Sequence, residues 1–172
     1  MALFAASGLD AVAKQLLSDC LRDVTLASPK ARKQLEESIR RLLARGGGAD
    51  ERILARFFVS GSTHDTSITL VQESFAGESL QSRAQLTRAT AAFGIKLSEI
   101  VDDESRLDLI FRERNKMAHE MDVDLTPNNR SRRQRNWETY RDWTVELLTI
   151  ADRLTIADRL IVQTDQILNR SD

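Results

Sequence analysis

The chain predicts an all-α fold, and three observations predict it. Proline occurs only at Pro29 and Pro127, aromatic residues make up only 5% of the chain, and apolar residues recur at spacings of three and four along nearly its whole length. Scarce proline leaves helices uninterrupted, and three-and-four spacing lines one face of a 3.6-residue turn. Strand signals are weak throughout. At 172 residues the chain is long enough for one domain with a real core and too short for two ordinary ones. The expected division is therefore a single domain over 1–172, within which 1–48 can stand as an N-terminal helical-hairpin extension.

The first helix is expected to start with Ser7 as cap and Asp10 answering three residues on, with Leu9, Val12, Leu16, Cys20 and Val24 along one face. Ser28 followed by Pro29 restarts the helix. The second runs from Pro29 to about Arg45, turns Leu35, Ile39 and Leu42 inward, and stops at Gly46-Gly47-Gly48, which is too flexible to continue it. Asp50 can then cap a shorter helix carrying Ile53, Leu54, Phe57 and Phe58, and residues 60–67 read as a polar loop containing His64. Two more helices follow, near Ile68 to Phe75 and Ser79 to Phe93, the second ended by Gly94.

Asp102, Asp103 and Glu104 lie where acidic residues favour a helix start, and the helix they open has Leu107, Ile110 and Phe111 facing inward. From about Asn128 to Asn169 neither Pro nor Gly interrupts the chain. There Tyr140, Trp143, Leu147, Ile150, Leu154, Ala157, Ile161, Thr164 and Leu168 form a seam at spacings of three and four on one long helix. At 1.5 Å per residue such a helix would exceed about 55 Å, so its end is expected to project or to pack on another subunit. Within it Thr149-Ile150-Ala151-Asp152-Arg153-Leu154 is followed by Thr155-Ile156-Ala157-Asp158-Arg159-Leu160, a tandem copy. Six residues are not a whole number of turns, so the copy is rotated by about 120° and widens the apolar face.

A net charge of −1 gives the molecule no overall attraction to nucleic acid, so any such binding needs a local basic patch. Cys20 is the only cysteine, which excludes an internal disulfide and a cysteine metal cluster and points to the cytoplasm. The opening Met1-Ala2-Leu3-Phe4-Ala5-Ala6 is apolar but has no basic leader, and no later run approaches membrane-spanning length. No membrane association is expected.

Chemistry concentrates in Arg112-Glu113-Arg114-Asn115-Lys116-Met117-Ala118-His119-Glu120. A histidine near neutral pKa moves protons, an arginine holds a pentacovalent phosphate through two hydrogen bonds, and an asparagine orients either. With 20 arginines and two histidines, an Arg five to seven residues before a His arises by accident roughly 0.7 times per chain, so the surroundings must carry the argument. Those surroundings are Phe93-Gly94, Asp102-Asp103-Glu104, Leu107, Ile110-Phe111, Arg114-Asn115, Ala118-His119 and Asp124-Leu125. Over about the last 90 residues this run resembles the HEPN family of small all-helical proteins, many of them ribonucleases.

The family's signature is Arg, four to six residues, then His, often with a polar residue directly after the Arg. Arg114-Asn115-Lys116-Met117-Ala118-His119 fits it, and Arg112 fits at the longer spacing. The resemblance implies a HEPN-like bundle with a long C-terminal helix, acting without metal or other cofactor as an endoribonuclease. It gives His119 the acid/base role, Arg114 the phosphate, Asn115 the orienting role, and keeps Arg112 in reserve. Attack of the ribose 2′-OH needs both a base and an acid, and one His per subunit is met most economically by a homodimer that sets two Arg-Asn-His groups around one cleft. Small bacterial proteins of this kind often serve as toxins or anti-phage effectors, which implies an antitoxin or defence-system partner protein. HEPN toxins silenced by a nucleotidyltransferase commonly carry Tyr two residues after the His; Met121 stands there, so control by adenylylation is not expected.

The helix wheel and the family pattern name different arginines. Asn115 and His119 are related as i,i+4, Arg112 is two turns before His119, and Arg114 is about 140° away from it on a regular helix. A straight helix favours Arg112 within one chain; fraying near Met117 to Glu120, or contribution across a dimer, favours Arg114. The bland alternative has both cations simply capping a helix C-terminus.

Arg130, Arg132, Arg133 and Arg135, followed by Trp137, Tyr140, Arg141 and Trp143, form a second constellation, a candidate RNA-binding patch. Pairing of these arginines with Asp122 and Asp124 is an equal alternative, and for Tyr140 and Trp143 on the seam a core role is preferred. His64 beside Asp65 reads as an exposed neighbour of a helix cap. No set of residues has metal-ligand spacing. A catalytically silent module for RNA or protein docking is the rival to the ribonuclease.

Overall fold

The computed structural model describes residues 2–44, 49–120 and 136–168, with 49–50, 119–120 and 158–168 described as backbone only. The described residues form seven α-helices and one 3₁₀ turn. The helices are α1 (Ala2–Ala27), α2 (Pro29–Ala44), α3 (Ala49–Val59), α4 (Thr63–Ala76), α5 (Arg83–Ala92), α6 (Glu104–Glu120) and α7 (Trp137–Leu168), with the 3₁₀ turn at Leu97–Glu99 between α5 and α6. The all-α expectation and the long C-terminal helix are both met.

The central helix is α1, which packs on α2, α4, α5 and α6 and most extensively on α7. This position explains where its predicted face is wrong. The buried residues are Ala2, Ala5, Ala6, Leu9, Ala13, Leu17, Leu21, Val24 and Thr25, while Leu16 and Cys20 sit half-buried on the shoulder. Small residues let neighbours approach α1 from several sides, so the alanines are as deep as the leucines. The expected cap at Ser7 is also displaced. The helix is already formed at Ala2, and Ser7 Oγ donates within it to the Leu3 carbonyl at 3.1 Å. Asp10, expected to answer that cap, accepts instead from the Leu80 amide at 2.8 Å and pairs with Lys14 at 3.3 Å.

Ser28 caps α2 ahead of Pro29, accepting the Ala31 amide at 3.3 Å, and Leu35 is buried with Ile39 and Leu42 packed beside it. The triple glycine that was read as the stop lies outside the described residues, and α2 is helical to Ala44. The polar loop expected over 60–67 is much shorter. Ser62 accepts the Asp65 amide at 3.2 Å and starts α4 at Thr63, so His64 is in the helix's first turn. The helix expected from near Ser79 begins at Arg83, capped by Ser82.

The stop at Gly94 is as expected. The Gly94 amide donates to the Ala91 carbonyl at 2.8 Å and the Ile95 amide to the Thr90 carbonyl at 3.1 Å, the paired bonds of a Schellman ending, with Gly94 at φ +74°. A Cβ there would lie 3.0 Å from the Ala31 nitrogen and 3.1 Å from Lys30 Cβ. The turn after α5 therefore rests directly on the start of α2.

The seam on α7 buries Trp143, Leu147, Ile150 and Leu154, with Tyr140 and Ala157 half-buried and Tyr140 edge-on to Trp143 at 5.7 Å. Much of this seam is taken up by α1 of the same chain, and at 1.5 Å per residue α7 spans about 48 Å. The tandem repeat behaves as its 120° rotation requires: Ile150 is buried and its copy Ile156 is exposed. None of the helices among the described residues is long and apolar enough to cross a membrane.

Candidate active site

The candidate catalytic residues lie on the second half of α6, and the first half explains how they are held. Asp103 caps the helix by accepting the Ser105 and Arg106 amides, each at 2.9 Å. Arg83 of α5 reaches across to Glu104 at 3.2 Å and Asp108 at 2.9 Å, and Arg106 pairs with Glu146 of α7 at 2.6 Å. Leu107, Ile110 and Phe111 are buried, as their spacing predicts. Arg153 of α7 donates to the Ile100 carbonyl at 3.2 Å and pairs with Asp102 at 2.9 Å, fixing the approach to the helix. That bond holds the Asp102 carboxyl below its ordinary range, through the hydrogen bond first and the charge second.

Phe111 is the last buried residue among those described on α6. Past it Arg112, Asn115 and Ala118 are exposed, while Glu113, Arg114, Lys116 and Met117 are half-buried. The helix stays regular to Glu120, so its register sets Arg112, Asn115 and His119 on one side, at steps of three and four residues. The Arg114 backbone points elsewhere, but its side chain bends back: Nη1 donates to Asn115 Oδ1 at 2.9 Å. Its Nε is buried and has no hydrogen-bond partner among the described residues. Beside them Lys116 pairs with Glu113 at 2.7 Å, leaving its ammonium occupied. Arg112, Arg114 and Asn115 are thus gathered on one stretch of helix, with Asn115 touching Arg114 and sharing a side with Arg112. The side chain of His119 lies outside the described residues.

Arg130, Arg132, Arg133 and Arg135 also lie outside the described residues. Of the aromatics that follow them, Trp143 is in the core, Tyr140 is half-buried against it, and Trp137 is 60% exposed. His64 is a connector between helices: its Nε2 is 3.1 Å from Thr25 Oγ1 at the end of α1, and the neighbouring Asp65 pairs with Arg22 of α1 at 3.1 Å. Among the described residues no group of three or more His, Cys, Asp or Glu side chains is placed to hold a metal ion.

Comparison with protein-family models, with curated proteins and with solved structures finds no match to this chain.

Proposed function

We propose that this protein is an endoribonuclease of the HEPN type, working without metal as a homodimer, in the manner of a toxin or anti-phage effector with a neutralising or activating partner protein. The observation that carries the reading is the arrangement on α6. Arg112, Asn115 and His119 share one side of a regular helix, and the guanidinium of Arg114 is drawn to that side by its bond to Asn115. The bond to Asn115 carries the guanidinium about 100° round the helix, toward the side that Arg112, Asn115 and His119 share, which supports a role for Arg114 without fraying. The exposure of Arg112 and Asn115 beyond the last core residue leaves the patch open to a polymer.

In this reading His119 takes the proton of a ribose 2′-OH, the 2′ oxygen attacks the adjacent phosphorus, and the bond to the 5′ oxygen breaks, leaving a 2′,3′-cyclic phosphate. The guanidinium of Arg114 meets the charge that develops on the phosphorus oxygens, where two fixed donors count most. The departing 5′ oxygen needs a proton, which the second copy's histidine supplies. Arg130, Arg132, Arg133 and Arg135 hold the flanking phosphates.

Wild-type and His119→Ala protein incubated with total and transfer RNA in EDTA, followed by end-group analysis, tests this. Cleavage by wild type alone, leaving cyclic or 3′-phosphate ends, is the expected result; RNA left intact by both, at a concentration where light scattering shows dimers, counts against it. A second reading, a catalytically silent docking module, draws on one specific feature. Trp137, Val145, Leu148 and Ile156 expose an apolar stripe on α7 opposite its buried seam, a surface suited to a protein partner. In that case His119→Ala leaves binding of partner and RNA unchanged.

A further inference from the structure

The outward side of α7 carries Trp137, Arg141, Val145, Leu148, Asp152 and Ile156, all of them exposed, the four apolar ones by between 48% and 60%. The steps between them are four, four, three, four and four residues, a series that reads the same from either end. At about 100° per residue the six fall within roughly 100° of the helix circumference, on the side away from Trp143, Leu147, Ile150 and Leu154. The kinds of residue are ordered as symmetrically as the steps: apolar, charged, apolar, apolar, charged, apolar.

The two charges are opposite, and that decides what the stripe fits. Laid antiparallel on itself about a twofold axis midway between Val145 and Leu148, it is matched at every position: Val145 of each copy meets Leu148 of the other, Arg141 meets Asp152, and Trp137 meets Ile156. Two ion pairs form and no like charges meet. Parallel pairing would set Arg141 against Arg141 and Asp152 against Asp152, which repel. A surface that complements itself under a twofold is what a contact between identical chains requires, so the charge pattern selects a second copy as the occupant. Arg141 already bonds the adjacent Asp142 at 3.1 Å, but their side chains are 57% and 49% exposed, and so exposed a pair gives way at little cost.

We propose that two copies of this chain pair antiparallel through the outer stripe of α7, with Val145 and Leu148 at the centre, Arg141 and Asp152 bonded on either side, and Trp137 and Ile156 closing the ends. Most of the stripe follows four-residue rows, which interdigitate when two helices cross at about 50°. This contact differs from the one that the ribonuclease reading needs. Arg153 pairs with Asp102 just before α6 and Glu146 with Arg106 inside it, so α6 runs toward the Trp137 end of α7. The twofold sends the two Trp137 ends in opposite directions, and the two copies of His119 with them. Pairing through α7 therefore stands apart from the ribonuclease reading; together with a cleft-forming contact on a second twofold, it joins four copies.

Light scattering and sedimentation of the full chain without RNA, from about 1 to 100 µM, test it. Leu148→Asp should halve the mass of the paired species, and His119→Ala should leave it unchanged. Leu148 is exposed, so helical circular dichroism of that variant should match wild type. Arg141→Asp and Asp152→Arg should each weaken pairing by at least about ten-fold, because each sets like charges against one another at two places. Mixing these two variants should restore pairing, since every mixed pair again sets Asp against Arg at both places, and the double exchange Arg141→Asp/Asp152→Arg in one chain should restore it too. A wild-type monomer at the highest concentration overturns the proposal and leaves the stripe to a different protein. An unchanged mass for Leu148→Asp, or no recovery on mixing the charge variants, overturns it as well. The readout is mass alone, so a chain that pairs but leaves RNA intact counts only against the ribonuclease reading.

Discussion

Arg114 is where local structure and proposed chemistry meet. Its Nη1 holds Asn115 and its Nε is a buried donor without an acceptor among the described residues, so truncation removes both a positioning bond and the candidate phosphate ligand. Arg114→Ala is expected to slow single-turnover RNA cleavage by about 10²- to 10³-fold, the usual loss when one transition-state donor is removed, and Arg112→Ala by less than about ten-fold. Arg114→Lys should not restore the rate, because an ammonium cannot bond Asn115 and phosphate as a fork. Equal losses for Arg112→Ala and Arg114→Ala would return Arg112 to the leading role. Gly94 is a second position where one atom decides the outcome. Gly94→Ala places a Cβ at positive φ and 3.0 Å from the Ala31 nitrogen, and should cost about 1–3 kcal/mol in urea unfolding. Gly94 was legible as a helix stop because its signal is local. Its contact with Ala31 was not, since nothing in a linear pattern says which turn crosses which helix.

At the level of helices, legibility followed the number of neighbours. The buried residues of α6, Leu107, Ile110 and Phe111, were read correctly because that helix sets a single stripe on the core. The face of α1 was misread because neighbours surround the helix, and a one-stripe template then favours the larger residues Val12, Leu16 and Cys20 over the buried Ala5, Ala6 and Ala13. Starts were read well where the polar residue directly precedes the helix, as at Asp103, and less well at α5, expected from near Ser79 but begun at Arg83 behind the Ser82 cap. Asp103 accepts two backbone amides at the start of the helix that carries the candidate site. Asp103→Ala is therefore expected to cost about 1 kcal/mol in chemical unfolding, and Asp103→Asn, which keeps the acceptor, a few tenths. A loss confined to stability, with cleavage per folded molecule unchanged, is the expected pattern, since α6 is also pinned by Arg83 and Arg106.

Across the whole molecule, apolar burial centred on α1 and α7 carries the fold, and ion pairs tie its outer elements together. Leu147 is fully buried on the α7 seam, and Leu147→Ala should remove about 2–5 kcal/mol, lowering Tm by roughly 5–15 °C in a thermal melt. The ion pairs make a different demand, which pH exposes. Arg56 holds Glu73 through two hydrogen bonds at 2.6 and 3.1 Å, and the Glu73 carboxyl is held below its ordinary value of 4.5, first by that hydrogen bond. Arg153 likewise holds Asp102 below 3.8. Because these carboxylates ionise more readily folded than unfolded, the unfolded chain binds more protons over the interval between the two values. Their contribution is fully present above the ordinary values and fades as pH falls through the lowered ones. The partner arginines are pushed up by the same pairing and stay charged throughout. Since both carboxylates are more than half exposed and their arginines more than a third, solvent and salt screen the pairs and the effect is small. Urea midpoints measured from pH 6 down to pH 3 should therefore fall most steeply below about pH 4.5, and Glu73→Gln/Asp102→Asn should flatten that descent while leaving the core-determined slope with urea unchanged. The flattening should shrink in 0.5 M salt; a descent identical for wild type and the double variant at low salt would mean that these pairs contribute nothing, and that acid sensitivity arises elsewhere in the molecule.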